Sequence, residues 1–302
     1  MRRKTTSVLI GLIFLAGLGI LIYPLVSNQW NTYRQNRLIS DYEQTVSAVM
    51  TEADFTEAWE AARAFNDSFE GNSIYGDVFG TLQEDGDGET GEGGSYQQVL
   101  NIAGDGVMGY ITIPKIDLKL AICHGTAEEV LQSGVGHLQG TKLPIGGESN
   151  HSVLAAHRGL PSARLFTDID QLEAGDRFYI KVLDETLAYE VDRILPMVDK
   201  DDAETLKEAL QIQPGEDQVT LFTCTPYGVN SHRLLVRGSR IPYTGELEEA
   251  RTPVQSMLRA VRDYYMLYIL LGLAVVGLAV LVLKSMFRRG KKTGNTQIEG
   301  GS

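Results

Sequence analysis

Two long apolar runs frame the chain, and a mixed polar and apolar pattern fills the space between them. Ser7 to Val26 is the first run and Tyr264 to Leu283 the second. Each is about 20 residues long, the length of a helix that crosses a bilayer. Arg2, Arg3 and Lys4 precede the first run; Lys284, Arg288, Arg289, Lys291 and Lys292 follow the second. Both basic flanks lie on the terminal sides, so the positive-inside rule predicts two cytoplasmic ends and a middle outside the cell membrane. A cleaved signal peptide is the alternative for the first run. Tyr23, Pro24 and Asn28 follow in place of a small-x-small cleavage site, so an uncleaved anchor is expected.

Between the runs the period changes twice. Leu38, Tyr42, Val46, Met50, Phe55, Trp59, Ala62 and Phe65 recur at helical spacing and predict one or two helices over 31–70, read as a solvated stalk. Asn72 to Gly80 breaks this pattern, and Gln83 to Ser95 is glycine-rich and acidic, as a flexible linker is. Asp85, Asp87 and Glu89 alternate as a calcium loop does, but their spacing and the missing later glutamate do not fit an EF-hand. From Gly106 short β-prone segments take over: Met108–Ile113, Leu118–Cys123, Ser152–Ala156, Arg177–Val182, Leu187–Ile194, Gln218–Thr223 and Arg233–Arg237. Short helices are expected at Glu128–Gln132, Ser162–Leu172 and Ala203–Leu210. Many short strands with few helices predict a mostly β domain closed into a barrel.

The expected divisions are an N-terminal tip and anchor over 1–27, a helical segment over 28–80, a flexible acidic linker over 81–105 and a β-barrel over 106–245. A connector over 246–263, a transmembrane helix over 264–287 and a basic tail over 288–302 complete the chain. The 302 residues carry a formal net charge of -12, which falls on the outer domain and excludes nucleic acid as a natural partner. No phosphate loop, dinucleotide fingerprint or zinc spacing is present, so neither a cofactor nor a metal is expected. The cysteines are Cys123 and Cys224, too few for a disulfide scaffold. A bridge between them would remove Cys224 from any chemistry.

Chemistry concentrates in Val219 to Ile241. A strand ends at Cys224, Pro226, Gly228 and Asn230 make a turn, and a return strand opens with His232 and Arg233. In such a hairpin Cys224 and Arg233 face each other, and side-chain alternation leaves His232 on the other face. His157, in SVLAAHRGLP, sits where a small-residue strand gives way to a loop. A thiol nucleophile, an imidazole that accepts and returns a proton and a guanidinium beside a developing oxyanion make a complete acyl-transfer set. Each residue also has a bland reading: a buried apolar thiol, a hydrogen-bonded core histidine, a solvated arginine. His124, His137 and His151 rival His157 on spacing alone.

The string TLFTCTPYGVNSHRLLVRGSRI resembles the signature of sortases, the cysteine transpeptidases of Gram-positive cell surfaces. Thr220, Leu221, Thr223, Cys224 and Arg233 meet the pattern Thr-Leu-any-Thr-Cys with a following Arg, and AAHRGLP carries the family's histidine at His157. IPKIDLKLAICHGT, SGVGHLQGTKLPIGG and LFTDIDQLEAGDRFYI resemble the pilin-assembling class C members. The resemblance implies an eight-stranded sortase-like barrel with short helices. Cys224 would attack a Leu-Pro-any-Thr-Gly-like sorting signal between Thr and Gly, forming a thioester. A lysine amine of the next pilin would resolve it. His157 would be the acid/base, Arg233 would position substrate or oxyanion, and Thr223 would be structural. The class also carries an N-terminal lid with an Asp-Pro-aromatic motif. Asp77 and Phe79 match it as lid candidates, with Val78 in place of the proline.

Two classes of function remain open at this stage. One is a membrane-anchored transpeptidase whose partners are pilin or surface-protein substrates bearing a sorting motif, with attachment to cell-wall precursor as a housekeeping variant. The other is a non-catalytic, membrane-tethered scaffold or adhesion domain in which Cys224 is merely buried.

Overall fold

The structure, a computed structural model, describes residues 2–69, 79, 96–247, 269, 272–274 and 277. The helical periodicity appears as α1 (Arg2–Ala48) and α2 (Glu52–Asp67). Thr51 starts α2 with a capping box: its hydroxyl accepts from the Asp54 amide, and the Asp54 carboxylate accepts from the Thr51 amide at 2.7 Å. This satisfies amide groups that a helix start otherwise leaves unpaired.

Eight strands follow: β1 (Val107–Ile113), β2 (Leu118–His124), β3 (Val135–His137), β4 (Asn150–Ala155), β5 (Arg177–Val182), β6 (Glu185–Asp199), β7 (Asp217–Thr225) and β8 (His232–Ile241). They close into a barrel in the order β1-β2-β3-β4-β7-β8-β6-β5. The pairs β2–β3 and β4–β7 are parallel and the others antiparallel. Two short helices, α3 (Glu128–Leu131) and α4 (Ala203–Ala209), and a 3-10 stretch at Leu165–Gln171 lie in the connections, close to their expected positions.

Seven of these strands were foreseen; β3 was not. It is a three-residue strand, Val-Gly-His, too short for an alternating pattern. A side chain on Gly136 would strike the Gly125 carbonyl oxygen, so the glycine permits the close approach of the two backbones.

The helices do not stand away from the barrel as a solvated stalk. Ile39, Tyr42 and Val46 of α1 bury against Val107 and Ala121, and Trp59 and Ala62 of α2 join the main core. Burial of each large apolar side chain contributes about 1.5–3 kcal/mol. Polar contacts fix the docking. The Tyr42 hydroxyl donates to Met108 O at 3.1 Å and accepts from the Leu183 amide at 2.7 Å. Trp59 Nε1 donates to Asp184 at 2.9 Å. The end of the expected linker is also built in: Tyr96 and Leu100 are buried, and the Tyr96 hydroxyl accepts from the Gly125 amide at 2.9 Å.

Among the described residues no helix is long and apolar enough to cross a membrane. Much of the first apolar run's side-chain set and most of the second run lie outside those residues, as do Asp85, Asp87 and Glu89. The chain divides into one compact unit of residues 27–252 and another of residues 1–26 with 253–302. The first of these carries the barrel.

Gly109 tests the closure of the barrel. A side chain there would run into the Lys181 carbonyl oxygen on β5 and meet Val182 Cγ2 at 3.2 Å. Gly109→Ala is expected to cost about 1–3 kcal/mol and to lower the thermal midpoint by roughly 2–4 °C for each kcal/mol. Differential scanning calorimetry measures it; an unchanged midpoint would mean that β1 and β5 can move apart freely.

Candidate active site

Strand β7 carries the cysteine, and its two neighbours carry the partners. Against β8 the register pairs Cys224 with Arg233 and Thr225 with His232. This is the cross-strand facing that the hairpin predicted. Against β4 the register pairs Ala155 with Phe222 in parallel. Carried two residues further, it brings His157 level with Cys224 on the adjoining strand. Two hydrogen bonds secure that extension: the Ala156 amide donates to Phe222 O at 3.2 Å, and the Thr223 hydroxyl donates to Ala156 O at 2.7 Å. Thr223 is thus a structural staple, as expected. The Phe166 amide donates to His157 O at 3.1 Å and holds the histidine's own backbone.

Cys224 and Arg233 are both buried, at 5% and 3% exposure. The arginine is therefore not the solvated strand-opener of the bland reading. Its Nη1 donates to Asn230 O at 2.9 Å and to His232 O at 2.8 Å. The carbonyls of its own turn hold the guanidinium in place, so its charge is fixed before any ligand arrives. No disulfide joins Cys123 and Cys224. The bridge that would have disabled Cys224 is not formed.

Phe79 joins these groups. Its ring centroid is 5.2 Å from that of His157 and 5.8 Å from that of Phe222, with which it stacks at 17°. The Arg233 Cζ sits 5.6 Å from the same ring, a cation–π distance. Phe79 also packs on an apolar floor that includes Val153, Val198, Phe222 and Leu235. One lid candidate thus touches two members of the trio. Asp77, the other, lies outside the described residues, as does Val78.

The rival histidines are occupied elsewhere. His124 has both ring nitrogens on backbone carbonyls, Gly106 O at 2.9 Å and Val99 O at 2.8 Å. His137 is held by the Tyr96 hydroxyl at 2.9 Å and Lys142 O at 3.0 Å. His151 meets Gln211 O and the Thr220 hydroxyl, each at 2.8 Å. Burial pushes both His137 and His151 down to about 4, only partly opposed by their carbonyl hydrogen bonds. They are neutral core residues.

Two contacts were not anticipated. His157 Nε2 lies 3.4 Å from Glu128 Oε2. Arg158 Nη1 donates to the Thr225 hydroxyl at 3.2 Å, and its Nη2 to Asp170 at 2.5 Å. Glu128 is 29 residues from His157, so no local pattern links them.

The barrel and its order of strands define the sortase fold. A family model for the sortase domain matches residues 111–241. The crystal structure of sortase C-1 from Streptococcus pneumoniae is 44% identical, with 69% of this chain and 100% of that one covered at a TM-score of 0.60. A pilus-related sortase C of Group B Streptococcus is 40% identical, with 69% and 99% covered at 0.58. Sortase D of Bacillus subtilis (strain 168) is 30% identical over 136 residues, and the match spans 44% of this chain and 63% of that protein. This chain belongs to the sortase family, and its structural neighbours are class C sortases.

Buried neutral histidines make stability depend on pH with a definite sign. A folded value below the ordinary 6.5 means that the unfolded chain binds protons first as pH falls. The contribution is complete above pH 6.5 and is lost as pH falls toward 4, on the order of 3 kcal/mol per histidine. His151→Gln should therefore be less stable than the parent at neutral pH, with the gap narrowing on acidification. Urea unfolding at a series of pH values measures this; a constant gap would show that His151 is not neutral when folded.

Proposed function

We propose that this protein is a class C transpeptidase that cleaves a Leu-Pro-any-Thr-Gly-like sorting signal and joins the fragment to a lysine amine of a pilin subunit. Cys224 is the nucleophile, His157 the acid/base and Arg233 the group that receives negative charge from the attacked carbonyl. The observation that carries this reading is the pairing of β7 on both sides. It sets Arg233 opposite the cysteine, and its register with β4, carried two residues past that strand, brings His157 level with it. Kinship with class C structures, one of them pilus-related by description, supports the choice of substrate class.

The chemistry follows in order. The Cys224 thiol gives its proton to the imidazole, and the thiolate adds to the Thr carbonyl of the signal. The buried guanidinium faces the oxygen that becomes negative. As the Thr–Gly bond breaks, the imidazolium returns its proton to the departing amine. The thioester that remains is opened by the second amine, whose proton passes to His157. The middle of the chain works outside the cell, held by the two apolar runs with both ends in the cytoplasm.

A sorting peptide with and without an added amine tests this assignment. Cys224→Ala and His157→Gln are each expected to lower cleavage by 10³-fold or more, on the order of the loss from removing a nucleophile or its base. Arg233→Lys keeps the charge but not the fork, and should lower kcat by about 10²-fold. A thiol-reactive probe separates this from the scaffold reading. Labelling of Cys224 that peptide slows supports the enzyme; inertness in the native protein supports the scaffold.

Phe79 covers His157 and Arg233, so it acts as a closed lid. Its cation–π and ring contacts are together worth about 1–2 kcal/mol. Phe79→Ala, alone or with Asp77→Ala, should raise basal peptide cleavage by up to about tenfold. Unchanged turnover would count against the lid.

A further inference from the structure

His157 has a neighbour outside the trio. Glu128 opens α3, on the connection that leaves β2. Its Oε1 accepts from Gln132 Nε2 at 2.9 Å, and its Oε2 lies 3.4 Å from His157 Nε2. One oxygen is anchored one turn along, which leaves the other aimed at the imidazole. The Gln132 hydrogen bond, and after it the charge of His157, hold the Glu128 carboxyl below the usual carboxylate range. It is ionised at neutral pH and can only accept a hydrogen bond. A nitrogen that meets it must then carry a proton. In the neutral ring that leaves the lone pair on Nδ1.

We propose that Glu128 is a positioning residue of the transpeptidase reaction: its carboxylate holds His157 as the Nε2–H tautomer and steadies the imidazolium, so that Nδ1 is the nitrogen that exchanges protons. This rests on the assignment of His157 as the acid/base. The thiol proton of Cys224 goes to Nδ1, leaving thiolate and imidazolium. When the carbon–nitrogen bond of the signal breaks, the departing nitrogen takes that proton and leaves as a neutral amine. The ring returns to its Nε2–H form. The Nε2 proton stays in place throughout, and Glu128 stays ionised.

The charges about the ring come from several elements. Arg233 of β8 lies against the same face of the cleft through Phe79, and Cys224 lies on β7. Arg158 follows His157 directly and is paired with Asp170. The two arginines are positive and Glu128 is negative, so charges of both signs lie about the ring. The Glu128 side chain is 57% exposed, against 19% for His157. Water and salt screen such a pair, so the effect is modest, about twofold to fivefold in kcat.

Nitrogen NMR of the ¹⁵N-histidine-labelled full chain in detergent micelles reads the tautomer, with His157→Gln identifying the signal. In the parent, His157 is expected as the Nε2–H form. In Glu128→Ala the Nδ1–H form should grow. Glu128→Gln lacks the charge but keeps an acceptor, so it should retain the tautomer. In both variants kcat should drop by the stated factor with KM unchanged. An unchanged tautomer in Glu128→Ala overturns the role of Glu128. Full activity in His157→Gln instead overturns the assignment of His157, whatever the spectra show.

Discussion

The site depends on the register of one strand. Strand β7 lies in the barrel between β4 and β8, and its positions Gln218 to Thr225 are all buried. Side chains alternate along it with a period of two, so a slip of one residue would send Cys224 to the opposite face and Thr223 into its place. The Thr223 hydroxyl blocks that slip. It donates to Ala156 O at 2.7 Å and ties the end of β4 to the position just before the cysteine. A parallel pair such as β4–β7 has no tight turn to set its register. The intervening chain includes β5, β6 and α4, so the register comes from the core and from this staple. The antiparallel β7–β8 pair has only a short turn, and the carbonyls of that turn grip Arg233. The constraint that aligns the strands therefore also fixes the charge beside the thiol.

The surroundings make that charge effective. The floor beneath Phe79 is apolar, and the ring covers the imidazole and the guanidinium together. A fixed positive group acts more strongly where water is excluded than at a wet surface. The cost of burying Arg233 is offset by its two carbonyl partners and by the face of the ring. An arginine on a flexible side chain would have to be ordered during the reaction. Here the turn has ordered it already.

Much of this was legible in the chain, for identifiable reasons. The alternation from Gly106 onward revealed seven strands, and the Pro226 to Asn230 break between two of them placed Cys224 opposite Arg233. The helical stripe from Leu38 to Phe65 revealed α1 and α2, but a periodicity shows that a face is buried and not what buries it. The hydrogen bonds between Leu183 and Tyr42 and between Trp59 and Asp184 supply that, and they join residues more than a hundred positions apart. Strand β3 is three residues with a central glycine and has no period to detect. Tyr96 sits beside a glycine-rich acidic stretch, and composition hid its docking against His137. The choice among histidines could not be made from spacing. It came from the resemblance, and the contacts of His124, His137 and His151 now supply a physical reason.

The two cysteines show why residue type alone was insufficient. Both are unbridged and both lie on barrel strands. Burial, and after it the charge of Asp105, pushes the Cys123 thiol up to about 12. At neutral pH it stays protonated and behaves as a small apolar side chain. Cys224 is buried, a guanidinium is paired across from it, and the register of β4 carried past its end brings His157 level with it. A thiolate is the nucleophile, and a positive neighbour favours it as surely as a carboxylate disfavours it. Exposure does not favour Cys224, which is the more buried of the two thiols. The sign of the nearest charge does, and that sign is set by which strand lies alongside.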